Sequence, residues 1–564
     1  MEFYMKKSVL ALSISAAVLG LGFAGGAHAV IAANPNAPGY FTTTGGNSNG
    51  LAFSDNGVGH ILVVPYYTAE ASAAAGANHT MINLVNTDTV NGKAVKVRFR
   101  GASNSDDVFD FQVFLSPGDV YAMDIALNAA NGLARLSPTG DASCTKPDFR
   151  NAAFVAGTLP TSNWDFKTTR LDPYATAAAR AAQTLEGYVE ILNMADITPG
   201  GALGKVITHA AGVAECGSKA AAAWTLLDTD QTNAVLKGST IGLAEPTTGL
   251  MANWTILNIT NQAAWGANAT AMVALNSAGL AQGNIVYWPQ TDTQLLYAPT
   301  NPTMGNADVF TADPMLDGMI PWIQPLMMDL PDLSTPYLNV WDNPLARREN
   351  LTYALATTVI QNEFETLPGI FAQTDWVLAQ PTRRYHITWN YYVGGDYAQY
   401  FHSDYYAANF NIGPNSDFTQ LCSYNITYKA FNRDEVQPST VFPSPQPRPA
   451  LCGEVSVLTF NNPGAAFSGV LGAKLTVQDL DITDPNNKTI NEGWMTVNTG
   501  GLYDPANPLS AGFGGTNMGS QPGYMGLPIL GFAATRAVAG ATYFGANWDH
   551  RTKHVNQFRI GGRY

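Results

Sequence analysis

Asp479, Asp481 and Asp484, followed by Asn486 and Asn487, cluster oxygen-bearing side chains in one short segment, and Asn104, Asp106 and Asp107 do the same earlier in the chain. Hard oxygen donors of this kind suit Ca²⁺, which accepts carboxylates and amide carbonyls in flexible geometry. Neither cluster has the EF-hand spacing, and a solvated acidic turn is the plainer alternative for each. Asp479, Asp481, Asp484, Asn104, Asp106 and Asp107 are therefore the candidate metal ligands, and Ca²⁺ is the one cofactor the chain suggests.

Other chemistry is scarce in the sequence. It contains no HExxH and no GxGxxG after a strand, the local signatures of zinc peptidases and dinucleotide binders. Gly200-Gly201-Ala202-Leu203-Gly204-Lys205 approaches a phosphate loop, but Pro199 stands where its first glycine belongs and Val206 replaces Ser or Thr, so a turn is expected. His550 and His554 would share a face if that segment were helical; in a polar tail an extended run is the better expectation. The sequence thus predicts no enzyme and no catalytic residue. Tyr391, Tyr397, Tyr400 and Tyr405 belong to an aromatic-rich stretch from Tyr385 to Phe410. Such rings could stack on sugars or join neighbouring subunits, or alternate members could fill a sandwich core.

The elements that must position these residues read as strands. Val95, Val97 and Phe99 alternate with Lys96, Arg98 and Arg100, and Phe109, Phe111, Val113 and Leu115 repeat the period after Asn104-Ser105-Asp106-Asp107. Period-two alternation between turn clusters predicts antiparallel strands with one buried face. The stretch from Thr80 to Asp119 is expected to be a three-strand unit. Further strands are expected at 60–67, 187–192, 253–259, 271–275, 284–288, 374–378, 384–392, 455–460 and 474–479. Asp172 and Pro173 would open a helix ending near Leu185, and Asn343-Pro344 a longer one over 344–364.

Five prolines from Pro314 to Pro336 forbid a long helix or central strand there, and about 535 residues exceed one ordinary core. The predicted fold is mainly β, with two or more β-sandwich-like domains and a few helices: 30–335 and 336–564, the second opening with the helix at 344–364. Lys6 and Lys7, an apolar run from Val9 to Phe23 and Ala27-His28-Ala29 have the form of a cleaved secretory signal over 1–29. Its removal would leave 27 basic and 42 acidic residues, an acidic surface that disfavours nucleic acid as a partner. Charged residues make up only 13% of the chain, a composition suited to an exposed face that is polar but neutral.

Cys144, Cys216, Cys422 and Cys452 form an even set, as disulfides in an exported protein require. Three pairings are possible. Cys144–Cys216 with Cys422–Cys452 is expected, since neither bridge then crosses the proline-rich boundary. The tail Phe558, Ile560, Gly562, Tyr564 alternates like the last strand of an outer-membrane barrel, although the prolines and cysteines fit a run of membrane strands poorly.

Several segments resemble an uncharacterised family of exported, β-rich cell-surface or surface-layer-like proteins of Gram-negative bacteria. They are Val63-Val64-Pro65-Tyr66-Tyr67, Lys96-Val97-Arg98-Phe99-Arg100, Leu115-Ser116-Pro117-Gly118-Asp119-Val120, Glu186-Gly187-Tyr188-Val189-Glu190, Thr374-Asp375-Trp376-Val377 with Pro381-Thr382-Arg383-Arg384, and Gly526-Leu527-Pro528-Ile529-Leu530-Gly531-Phe532. The resemblance implies a structural protein at the extracellular surface, forming a homo-oligomer or lattice against the outer membrane or its surface polysaccharide. A polysaccharide-binding module is the alternative, and a membrane barrel a more distant one.

Overall fold

A computed structural model describes residues 50–554 except 73–75, 139–140, 147, 150–163, 169–170, 172–174, 217–220, 229–232, 277–278, 288–289, 291–330, 334–353, 384–387, 391–395, 399–421, 424–425, 434–438, 442–450, 465, 500–526 and 541. Over the described residues the chain is mainly β and builds four principal sheets. The first has the order 50–53, 270–275, 61–68, 186–197, 92–101, 107–115, 144–146, and the second 164–165, 133–138, 120–128, 76–86, 250–258, 263–268. The third runs 427–432, 492–498, 356–365, 527–528, with 551–554 also on 356–365; the fourth runs 439–441, 477–483, 455–460, 373–379, 530–539, 542–549. All four are antiparallel apart from the pair Val455–Phe460 and Val477–Thr483, which is parallel.

The fourth sheet is apolar on both faces, and this joins the two halves. Along Gln373–Ala379, Val377 and Ala379 enter a core shared with Leu62, Val64, Trp254 and Trp265, while Trp376 and Leu378 enter a second core with Ile360, Phe364, Met495 and Val497. Phe532 from the next strand packs on Trp254 with ring centroids 4.6 Å apart. Hydrogen bonds cross the same boundary: Trp265 Nε1 donates to Thr535 O at 2.8 Å, Asn78 Nδ2 to Leu471 O at 2.6 Å, and Glu454 N to Ala102 O at 2.7 Å.

Several expectations are corrected. The three strands between Thr80 and Asp119 do not form one meander. Gly76–Asn86 lies in the second sheet between Val120–Asn128 and Leu250–Asn258, whereas Gly92–Gly101 and Asp107–Leu115 pair in the first. The turn that switches sheets is held by Asn86 Nδ2 on the carbonyls of Asn91 and Ser116, both at 2.9 Å. The polar members Lys96, Arg98 and Arg100 do not face solvent, since every residue of Gly92–Gly101 is buried.

The helix expected over 344–364 is a strand from Ala356 to Glu365; 344–353 lie outside the described residues. Thr357, Thr358, Val359 and Ile360 are β-branched and stiff at χ1, and pairing on both sides outweighs the helical spacing of the apolar positions. The earlier helix shrinks to Ala177–Ala182, capped by Thr176 rather than Asp172. Residues 284–287 run without a strand, and Gly201 leads into a short helix, Ala202–Ile207.

Close approach dictates the glycine at position 187. A Cβ on Gly187 would lie 1.7 Å from Arg100 O, at a register shift in the Glu186–Ile197 strand.

Cys144 and Cys216 are joined, with Cα atoms 5.5 Å apart and a sequence separation of 72. Cys422 and Cys452 stand directly opposite in a two-stranded ladder, a placement compatible with the second expected bridge. Replacing Cys144 and Cys216 together by Ala should cost about 4 kcal/mol through the freed unfolded chain. Denaturant unfolding against the parent checks the cost, and non-reducing peptide mapping checks both pairings.

Candidate functional site

Two polar regions stand out, one buried and one open. The buried one is the charged face of Gly92–Gly101. Lys93 Nζ lies 2.7 Å from Asp196 Oδ1, Lys96 Nζ 3.1 Å from Asp110 Oδ1, and Arg98 Nη1 2.8 Å from Asp107 Oδ2. Arg100 reaches Glu190 at 3.3 Å and Asp332 at 3.0 Å, and Arg383 meets Glu454 at 3.2 Å. Charges taken out of water cost several kcal/mol each unless paired. Register brings the partners within reach: Asp196 opposes Lys93, Asp110 opposes Arg98 and lies diagonal to Lys96, and Asp107 opposes Arg100 and lies diagonal to Arg98.

A second buried cluster clamps the halves together. Glu186 Oε1 accepts from Lys474 N at 2.7 Å, its Oε2 lies 2.9 Å from Tyr66 Oη, and Lys474 Nζ bonds Glu70. Burial, with the Glu70 charge added, pushes Glu186 up to about 8. Two histidines act as neutral staples. His60 accepts from Ala274 N on Nδ1 and so donates from Nε2 to Pro246 O, while His550 Nε2 donates to Val377 O. Burial lowers them to about 4 and about 3. His550 precedes a strand, Arg551–His554, so the two histidines do not share a helical face.

The open region is the outward face of the third sheet. Tyr428, Ala430, Met495, Val497, Ile360 and Phe364 point into the second core, so the intervening residues point away. Register aligns them in rows: Arg551, Gln361 and Thr496; then Glu363, Trp494 and Phe431; then Glu365 with Glu492. The Phe431 ring stacks on Trp494 at 4.6 Å and 17°, and Arg433 pairs with Glu492 at 2.8 Å. Trp494 is 39% and Trp548 51% exposed. Together with Thr535 they line a groove of about 620 Å³ over the Ala356–Glu365 strand. A flat aromatic flanked by carboxylates, an amide and guanidinium groups can stack on a ring and hydrogen-bond its substituents.

The residues singled out from sequence lie elsewhere. Asp107 is committed to Arg98, and Asn104 and Asp106 are buried in the adjoining turn. Asp479 Oδ1 accepts from Asn462 N at 3.0 Å, and Asp484 Oδ1 closes a turn by accepting from Asn486 N and Lys488 N, each at 2.8 Å. Asp481 sits on the same strand, opposite Val441. Among the described residues, no three His, Cys, Asp or Glu side chains converge as a metal-holding group. Tyr391, Tyr400 and Tyr405 lie outside the described residues, and only the backbone of Tyr397 is described, in the strand Asp396–Ala398. The groove residues went unread because Trp494, Glu363 and Arg551 come from separated segments that only strand pairing unites. The sole local hint was Phe431 and Trp494 at solvent-facing positions of alternating strands.

Two predictions follow from the buried charges. Arg383→Met strips Glu454 of its cation and should destabilise by roughly 3–5 kcal/mol, whereas the double change with Glu454→Met should recover most of the loss; unfolding midpoints of the three proteins decide it. Glu186 holds a proton in the folded state that the unfolded chain releases above pH 4.5, so stability falls as pH rises from 4.5 to about 8. The histidines slope the other way, their contribution being lost as pH drops below 6.5. Between pH 6.5 and 8 the Glu186 slope acts together with that of His79, which its hydrogen bond to Asp124 raises above its ordinary value, so Glu186→Gln should make the fall shallower without abolishing it while keeping the acid loss, as thermal melts across pH will show.

No family model, curated protein or solved structure matches this chain, and its function is to be read from its own geometry.

Proposed function

We propose that this is an exported structural protein that assembles with copies of itself at the cell surface, as a surface layer. The observation that carries this reading is the shared core running from Leu51 to Ala534. A repeating coat transmits position from one contact face to the next, so each subunit must hold distant faces in fixed relation, and a sheet buried on both sides does that. The Cys144–Cys216 bridge suits an oxidising compartment. Exposed apolar side chains at turns of both halves, Ile259 at 65% and Phe371 at 69%, offer small contacts of the weak, repeated kind.

An acidic subunit repels its copies, and divalent cations bound between them lower that repulsion. Exposed turns such as the one at Asp484 are where Ca²⁺ would bridge subunits. Light scattering of the mature protein should show particles growing on addition of millimolar Ca²⁺ at constant ionic strength and shrinking in EDTA. Equal growth in EDTA would remove cation bridging. Envelopes whose electron-microscopic surface is unchanged when the gene is deleted would remove the coat itself.

A further inference from the structure

We propose that the groove on the outward face of the third sheet binds a neutral polysaccharide, whose chain lies along the Ala356–Glu365 strand. This goes beyond self-assembly and does not depend on it.

Phe431 and Glu363 are the cross-strand neighbours of Trp494 on its two sides. Phe431 covers one indole face, so the other is turned toward Glu363 and the floor of the groove. Arg551 is paired to Gln361 from the side opposite Trp494, and Trp548, whose carbonyl accepts from Asn362 Nδ2 at 3.3 Å, also lines the groove. The channel thus has a floor of Gln361, Glu363 and Glu365 between an aromatic wall and a wall carrying a guanidinium.

The occupant follows from what the floor can still offer. Its backbone is already engaged: Gln361 is paired on both sides, Glu363 O accepts from Trp376 Nε1 at 3.0 Å, and Glu365 N and O both bond Thr374 Oγ1 at 2.9 Å. A peptide adding itself as a strand needs a free ladder edge, and this strand has none over those residues. Glu363, Glu365 and Glu492 repel the phosphates of a nucleic acid. What remains is recognition by side chains alone. An exposed indole face packs on the C–H face of a sugar ring, and carboxylates and guanidinium groups spaced along the strand meet hydroxyls, which both donate and accept.

Binding of the full mature protein to an array of neutral polysaccharides and their oligosaccharides (β-glucans, xylans, mannans, chitin oligomers) tests this, with calorimetric titration of any glycan that binds. At least one should bind, and Trp494→Ala should weaken it tenfold or more. Glu363→Gln and Arg551→Ala should each weaken it several-fold, and Val90→Ala, on a turn of the first half, should not. Trp494 and Arg551 are exposed, so circular dichroism and melting of the variants should match the parent. No binding anywhere on the array, or full affinity in Trp494→Ala and Glu363→Gln, overturns the proposal. Light scattering with Ca²⁺ on the same variants reads assembly separately, so loss of one property does not count against the other.

Discussion

The whole molecule depends on one sheet being apolar on both faces. Antiparallel sheets commonly keep one face wet, and here the strand Gln373–Ala379 sends Val377 and Ala379 one way and Trp376 and Leu378 the other. Its neighbours follow suit: Val455 and Val457 oppose Leu458 and Phe460, and Phe532 opposes Ala533. Remove that layer and the first half loses its cover over Trp254, while the third sheet loses the support beneath its groove. Asp375 on the same strand fixes the crossover of the parallel pair by accepting from the backbone of Val470 and Leu471 at 2.9 and 2.8 Å.

Buried charge is the second organising constraint. Lys96, Arg98 and Arg100 sit at every other position of a strand with no exposed residue, and each meets a carboxylate placed by register or by a distant loop. Such pairs add little net stability over an apolar layer of equal volume. They do penalise error, because slipping one residue would set these cations against Val113, Phe111 and Val108. We read the network as a device for register.

Strand positions were legible in the sequence to within a few residues, as at Ile61–Thr68 and Val455–Phe460, because period-two alternation and turn residues are local signals. The Cys144–Cys216 bridge was legible too, from proximity in the chain. The Ala356–Glu365 strand was misread because its apolar residues also satisfy a helical period, and only pairing with Glu492–Asn498 and Arg551–His554 decides between them. The wet face assigned to Lys96, Arg98 and Arg100 was wrong for a related reason: alternation shows that two faces differ, not that one meets water. The groove was out of reach, since its row Glu363, Trp494, Phe431 exists only once three distant strands are in register.

The sharing of Trp254 with Phe532 has a kinetic meaning. A chain emerging from its N-terminus completes both sheets of its first half long before the strand Leu530–Ala539 exists, and until then the indole and its neighbours are uncovered. Contacts of such sequence separation form late and slowly, leaving a sticky intermediate open to chaperones, proteases and misassembly. Truncation anywhere before Ala539 therefore leaves a fragment with a bare hydrophobic face, rather than a smaller version of the folded protein.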